Sequence, residues 1–562
     1  MKRISFIFSF ILCHLFISAQ VNIYPTYWWV GMKNPSLQLM VHASSDLGKQ
    51  ITCSDPNIRI KNVSQPENKH YVFIDLSILP GAKAGTYTFK VGANLSFKYE
   101  LKKRSTQKGI HQGVHSSDLV YLIMPDRFAN GNSKNDAFNT LKDTIADRNN
   151  PYARHGGDIA GISSRLDDLK KIGITTLWMT PMMQNDMPRM KEGEFWMSGY
   201  HGYWITDHYT VDKRLGSNDE YKNLVASAHS KGMKIIQDAV YNHVGAFHHT
   251  VVDLPMKDWL NQWSSYQGAN HREEVFMDPY ASAIDKKIMV GGWFVPHLPD
   301  LNLANPYCAK YIIQNTIWAT EEFDLDGWRV DTYKYCDEKF LNTINTALER
   351  EYPKLTVFGE AWTNSVPSSA YFARNNVKAP FNHNLQGVID FPINSAILDG
   401  VNQSFGWTEG IMKVYTTLSQ DFLYQDPNRN CIFLDNHDTN RFFSMVGEDI
   451  SKYKMALGLL FTLRGIPQVY YGTEILIKNF KDPNDAAVRK DYPGGWSSDA
   501  INKFDSKQLN SAELDAYNYF STLANYRKSS PAITQGKTTQ YIPQNGVSVS
   551  YTRLTLPTNR EV

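Results

Sequence analysis

Between Leu119 and Tyr471 the chain repeats one pattern eight times: a short, largely apolar run gives way to a helical segment, and five of the runs close on an acidic residue. The runs are Leu119 to Met124, Thr175 to Met179, Lys234 to Asp238, Gly327 to Asp331, Thr356 to Glu360, Gly387 to Asp390, Cys431 to Asp435 and Gln468 to Tyr471. Helical periodicity fills intervals such as Ser217 to Lys231 and Asp337 to Tyr352. Eight strands alternating with helices predict an α/β fold, a (β/α)8 TIM barrel. The interval after the third strand is too long and irregular for one crossover, which predicts an inserted subdomain at about 245–299.

A chain of 562 residues exceeds the size at which a single core keeps growing, so further domains are expected. Residues 20–105 carry short alternating runs (Ser36 to His42, Tyr71 to Ile74, Thr86 to Val91) between Pro, Gly and Asn clusters. That pattern predicts an N-terminal immunoglobulin-like β-sandwich. Lys102 to Ser117 reads as a polar linker, 106–530 as the barrel with its insertion, and 531–562 as a short C-terminal β domain. The Trp28-Trp29 pair is read as sandwich core ahead of a direct ligand-binding role.

Residues 1–19 have the layout of a secretory signal: Lys2-Arg3, an apolar run from Ile4 to Ile17, then Ser18-Ala19. It implies a periplasmic or secreted protein with no membrane span in the mature chain, because the apolar run is too short to cross a bilayer. Cys13 lacks the preceding small residue expected beside a lipidated cysteine, and the four remaining cysteines are scattered, which favours buried free thiols. A net charge of +2 without long like-charged blocks argues against nucleic acid as a partner. A homodimer is left open.

In a barrel of this kind the active site lies at the C-terminal ends of the strands. Here the third strand closes on Asp238 with Asn242 and His243 following, the fourth on Arg329 and Asp331, the fifth on Glu360, and the seventh on Asp435 through Asp438. One such Asp caps a helix or pairs with an Arg as readily as it catalyses. Three carboxylates, two histidines and an arginine at one mouth crowd charge at a cost in stability, which is the mark of a catalytic site. Retaining glycosidases need a carboxylate to attack the anomeric carbon and a second carboxyl to protonate the leaving oxygen. Neighbouring fourth and fifth strands can supply the two.

These segments resemble the signatures of glycoside hydrolase family 13, the α-amylase family. The resemblance extends to Tyr200 through Trp204, Leu298 through Asn302, and Gly465 through Glu474. It implies Asp331 as nucleophile, Glu360 as acid/base and Asp438 as the carboxylate that binds sugar hydroxyls. It also implies His201, Tyr203, His243, Arg329 and His437 at the cleaved sugar, with Lys334 and Tyr335 on the leaving-group side. Tyr27 through Pro35 is similar to the N-terminal domain of the cyclomaltodextrinase and neopullulanase group, and this implies hydrolysis of α-1,4 bonds in maltodextrins, cyclodextrins, pullulan or starch. Leu298 through Asn302 is nearer the general amylase form, which leaves the linkage preference open.

Asn130, Asn132, Asn135, Asp136, Gly156 and Asp158 are similar to a calcium loop of that group, and oxygen ligands on a tight loop suit calcium. Asn242 is a weaker candidate for a second calcium. The thirty or so residues after Pro531 are fewer than the family's usual C-terminal sandwich. A transglycosylase of the same family, or a non-catalytic glucan-binding protein on the same fold, are the competing readings.

Overall fold

The computed structural model describes residues 21–92, 95–107 and 109–554, so the expected signal segment lies outside the described residues. Contacts divide the chain into two compact units, Met1–Gly31 with Pro35–Lys103, and Met32–Asn34 with Arg104–Val562.

The first unit is built from two four-stranded sheets. One takes the strands Val21–Tyr24, Ser36–Ala43, Tyr71–Ile78 and Ile58–Ser64 in that order, and the other takes Trp28–Val30, Leu95–Lys103, Gly85–Val91 and Ile51–Cys53. In the strand Leu95–Lys103 every second residue turns inward, so that Phe97, Tyr99 and Leu101 are buried, and Phe89 stacks on Phe97 with centroids 5.0 Å apart. Trp28 and Trp29 are buried too, as core residues would be. The linker expected from Lys102 onward starts late: Lys102 and Lys103 pair with Trp29 and Val30 as strand. Arg104, within the segment read as a polar linker, binds Glu321 at 2.9 Å and Glu351 at 2.7 Å. Short-range polarity misled here because a Lys can cover an aromatic face, as Lys102 does over Tyr27.

In the second unit eight parallel strands form one sheet. They are β1 (Val120–Ile123), β2 (Thr176–Met179), β3 (Lys234–Val240), β4 (Gly327–Asp331), β5 (Thr356–Gly359), β6 (Gly387–Val388), β7 (Cys431–Phe433) and β8 (Ile466–Tyr470). Each pairs with the next in sequence from β1 to β6, β7 pairs with β8, and β8 returns to β1. The ring closes through a single parallel bridge between Ile389 and Cys431, with the Asp390 amide donating to the Cys431 carbonyl at 2.9 Å. This is the expected barrel. Its strands are buried on both faces and are largely apolar for that reason.

The expected helices run Asn218–Ser230 and Glu338–Glu351. Ser217 caps the first by accepting from the Glu220 amide, and Asp337 caps the second by accepting from the Phe340 amide. Between β3 and β4 the chain makes short helices, His249–Val252, Glu274–Met277 and Ala283–Gly291, joined by irregular backbone. Beyond the long helix Ser511–Ser529, the residues expected to form a C-terminal domain give a helical turn, Pro531–Gln535, and one hairpin, Lys537–Gln540 with Ser550–Arg553. They cluster with the barrel in a single unit. The four described cysteines are free thiols. No described helix is long and apolar enough to cross a membrane.

Candidate active site

Strand register brings the polar side chains together. Asp238 of β3 lies opposite Arg329 of β4, Val240 opposite Asp331, and Val330 opposite Gly359, the residue before Glu360. Arg329 is fully buried and is the hub. Its Nη1 donates to Asp331 Oδ1 at 2.8 Å and to Asp238 Oδ1 at 2.8 Å, while Nη2 lies 2.7 Å from Glu360 Oε1. Asp238 also accepts from Trp178 Nε1 at 3.1 Å and from the Tyr203 hydroxyl at 2.9 Å.

One guanidinium thus faces three carboxyls. Burial pushes Asp238, Asp331 and Glu360 all upward against the pull of Arg329, Glu360 to about 7. Near neutrality such a set keeps a proton. The aligned hydrogen bonds from Arg329 go to Asp331 and Asp238, so the proton belongs on Glu360, whose Oε2 accepts from the Thr332 amide at 2.9 Å. Thr332 has φ 46 and ψ 39, a left-handed conformation that costs a β-branched residue about 1–3 kcal/mol and is held only where the surroundings enforce it.

After β7, Asp438 meets a different environment. Burial alone would raise its carboxyl, yet it is held at about 2. His437 is itself pushed to about 3 by burial and is therefore neutral. With His437 neutral, Arg489, Arg329 and Lys481 supply the positive charge that lowers Asp438; of these Arg489 touches it, pairing with Oδ1 at 2.8 Å and donating from Nε to the His437 carbonyl at 2.9 Å. The Lys481 ammonium donates to the Asp438 carbonyl at 2.7 Å. His437 Nε2 lies 2.7 Å from the Tyr203 hydroxyl, and the two rings are 6° from parallel.

A cavity of about 470 Å³ opens over these groups. Of the residues expected from sequence, Asp331, Glu360, Asp438, His201, Tyr203, His243, Lys334 and Tyr335 line it. Arg329 and His437 lie buried behind them. His243 is pushed down to about 4 by burial, a neutral imidazole near pH 7. Residues that sequence reasoning missed also face the cavity, among them Trp362, Phe294, Lys481, Asp485 and Arg489. The last three follow Asp438 by more than forty residues with no local pattern to mark them; Trp362 sits two residues past Glu360 and was open to inspection.

A second cluster gathers the expected calcium residues. Asn130 Nδ2 donates to Asp136 Oδ1 at 2.8 Å, and the amides of Gly131 and Asn132 donate to Asp158 at 2.9 and 2.8 Å. Gly156 has φ +88, and a Cβ there would stand 2.5 Å from Asp136 Cγ, so only glycine lets the two approach. Burial raises Asp136 to about 6. The buried Oδ1 of Asn135 has no hydrogen-bond partner. Asn242 instead spends its amide on Asp300, at 2.7 Å, and Asn261 caps the other oxygen of that carboxyl at 2.7 Å. The donation uses Nδ2 and leaves the Asn242 Oδ1 able to accept.

The family described as alpha amylase, catalytic domain, matches residues 122–513, and the cyclomaltodextrinase N-terminal family matches 22–105. A beta/alpha-amylase of Paenibacillus polymyxa is 31% identical over 432 residues, covering 75% of this chain and 31% of that protein. A cyclomaltodextrinase of Thermoanaerobacter pseudethanolicus is 27% identical over 382 residues, covering 66% of this chain and 59% of that protein. The chain therefore spans less than two thirds of the length of these relatives. The crystal structure of an alpha-amylase from Geobacillus thermoleovorans, complexed with acarbose, superposes with a TM-score of 0.62 at 28% identity, covering 79% of this chain and 85% of that one. With its barrel strands, its arginine-centred carboxylates and a family match over more than half its length, the chain belongs to the alpha-amylase family.

Proposed function

We propose that this protein is a retaining hydrolase of α-1,4-glucosidic bonds in maltodextrins, cyclodextrins, pullulan or starch. The observation that carries the reading is the pairing of Asp331 and Glu360 across one buried guanidinium, with burial raising the Glu360 carboxyl toward neutrality. Asp331, aligned by Arg329, attacks the anomeric carbon while Glu360 gives its proton to the glycosidic oxygen, so the C–O bond breaks as the carboxylate–sugar bond forms. Glu360, now ionised, takes a proton from water as the water oxygen attacks the same carbon. The ester bond breaks and both carboxyls return to their starting states. Asp438, kept ionised by Arg489, accepts hydroxyl hydrogen bonds from the sugar, and Tyr203 offers a ring face beneath it.

The Asn130 to Asp158 cluster supports a structural calcium ion. Its donors are hard oxygens, the Asn135 Oδ1 is buried without a partner, and Gly156 leaves space beside Asp136. Asn130, Asn132, Asn135, Asp136 and Asp158 with the Gly156 backbone would hold it, tying together the loop after β1 and the helix capped by Asp158. Export to the periplasm or medium belongs to the same reading, and its support is the N-terminal Lys2-Arg3 and apolar run.

The test is product analysis of the purified protein on pullulan, β-cyclodextrin, maltoheptaose and soluble starch, beside Asp331→Asn. Panose from pullulan and rapid cyclodextrin opening, both lost in the variant, are the expected result. Cleavage of starch and linear dextrins alone narrows the activity to that of an ordinary α-amylase. Oligosaccharide binding without cleavage of any substrate overturns the catalytic reading.

A further inference from the structure

The 3-10 turn Tyr333–Tyr335 that follows the β4 carboxylate does not stand by itself. Lys334 is 6% exposed, and its ammonium donates at 2.7 Å to Glu273, which is 5% exposed and belongs to the inserted segment between β3 and β4. The same ammonium donates at 2.8 Å to the carbonyl of Trp362. An ammonium has three donors, so one remains, and Lys334 lines the cavity. Next to it His271 Nδ1 lies 3.0 Å from the Tyr335 hydroxyl, and the Phe294 ring packs edge-on to Tyr335 at 4.6 Å. Glu273 itself does not line the cavity.

Trp362 stands two residues past Glu360, stacks on Phe391 at 4.6 Å and 15°, and has φ 24, a strained backbone whose carbonyl Lys334 holds. Because Glu360 hands its proton to the departing sugar, the wall made by Trp362 and Lys334 is the one that the departing or accepting sugar meets. The arrangement thus has three tiers: an inserted carboxylate, a buried ammonium, and a wall that touches sugar.

We propose that Glu273 is a positioning residue for the leaving-group side: through Lys334 it fixes the Trp362 backbone and aims the third ammonium proton at a hydroxyl of the sugar bound there, and so sets how well a sugar competes with water for the glycosyl-enzyme. The inference rests on the catalytic reading above. A buried ion pair is suited to the task because geometry, not net stability, is what it secures. Without the Glu273 charge the ammonium's charge-assisted bond becomes a weaker one to a neutral oxygen and the wall loosens, while the Asp331 and Glu360 pair keeps its own partner, Arg329.

The experiment compares wild type, Glu273→Gln, Glu273→Asp, Lys334→Ala and the Glu273→Gln/Lys334→Ala double variant in the full chain. Two substrates are used, maltotriose with added maltose as acceptor, and an aryl maltoside whose leaving group offers no sugar hydroxyls. Glu273→Gln is expected to lower the ratio of transfer to hydrolysis by about five-fold and to raise KM for maltotriose by about the same factor, with less than about two-fold loss on the aryl maltoside. Glu273→Asp should recover part of both effects, and the double variant should resemble Lys334→Ala, because Glu273 acts through it. Parallel loss on both substrates with a lowered melting temperature, or additive effects in the double variant, overturns the inference while leaving the catalytic reading intact. A wild type that cleaves neither substrate overturns both.

Discussion

Two sectors of the barrel mouth look alike in sequence and differ in charge balance. On β6 and β7 the strand-end acids are matched with cations. Asp390 pairs with Arg464 at 2.7 Å and caps a helix through the Ile393 amide, and Asp435 pairs with Arg441 at 3.1 Å and caps another through the Phe442 amide. On β3, β4 and β5, Asp238, Asp331 and Glu360 divide a single guanidinium. The first sector is satisfied and therefore inert; the second holds a proton it would rather share. Among Asp238, Asp331, Glu360, Asp390 and Asp435 the number of cations around each separates the crowded group from the balanced one, a property no single strand displays.

The largest effect should come from neutralising the crowded sector. Asp331→Asn or Glu360→Gln is expected to lower turnover of maltoheptaose by roughly 10³-fold or more, measured as reducing-sugar release, with a melting temperature equal to or above wild type. A marked loss of stability in either variant would break the comparison. In the balanced sector Asp435→Ala should do the opposite. It strands the buried Arg441 and costs about 3–5 kcal/mol in denaturant unfolding, while the rate per folded molecule falls far less than in Asp331→Asn.

Next in size is the response to pH. Catalysis needs the proton on Glu360, a group whose carboxyl burial raises to about 7, so kcat/KM is sustained below that value and declines as pH rises through it. On the acid side Asp331 and Asp438 must both be ionised; burial raises Asp331, so its limb stands above that of Asp438, which is held at about 2. Arg489→Gln removes a charge that lowers Asp438 and should raise that carboxyl by about 1–2 units, read by carboxyl NMR titration. An unmoved Asp438 titration would mean that Arg489 has no hold on it. The smallest effect is thermal: prolonged chelation should lower the melting temperature and added calcium should restore it, because an ion bound only by the folded chain stabilises that state. Identical melting curves with and without chelator count against the ion.

The barrel was legible because its strands are short, largely apolar runs between helical segments, and burial on both faces favours that pattern. Asp331 and Glu360 were legible because they end such runs. Arg489, Lys481 and Glu273 were not. They reach the mouth from segments without regular periodicity, and only the folded chain brings Arg489 within 2.8 Å of Asp438 or Glu273 within 2.7 Å of Lys334. The misread linker had a similar origin: Lys102 and Lys103 are charged, but their backbone pairs as strand and their polarity says little about that. The acids of β6 and β7 needed Arg464 and Arg441 to be placed before they could be told from the catalytic ones.

The barrel's single closing bridge between Ile389 and Cys431 makes it a ring with a clasp. Every other neighbouring pair of strands is held by at least two residue pairs in register. A ring is expected to open first at its clasp, at the edge where the satisfied sector meets the reacting one, and hydrogen exchange at the Asp390 amide, compared with and without a bound glucan, measures whether it does.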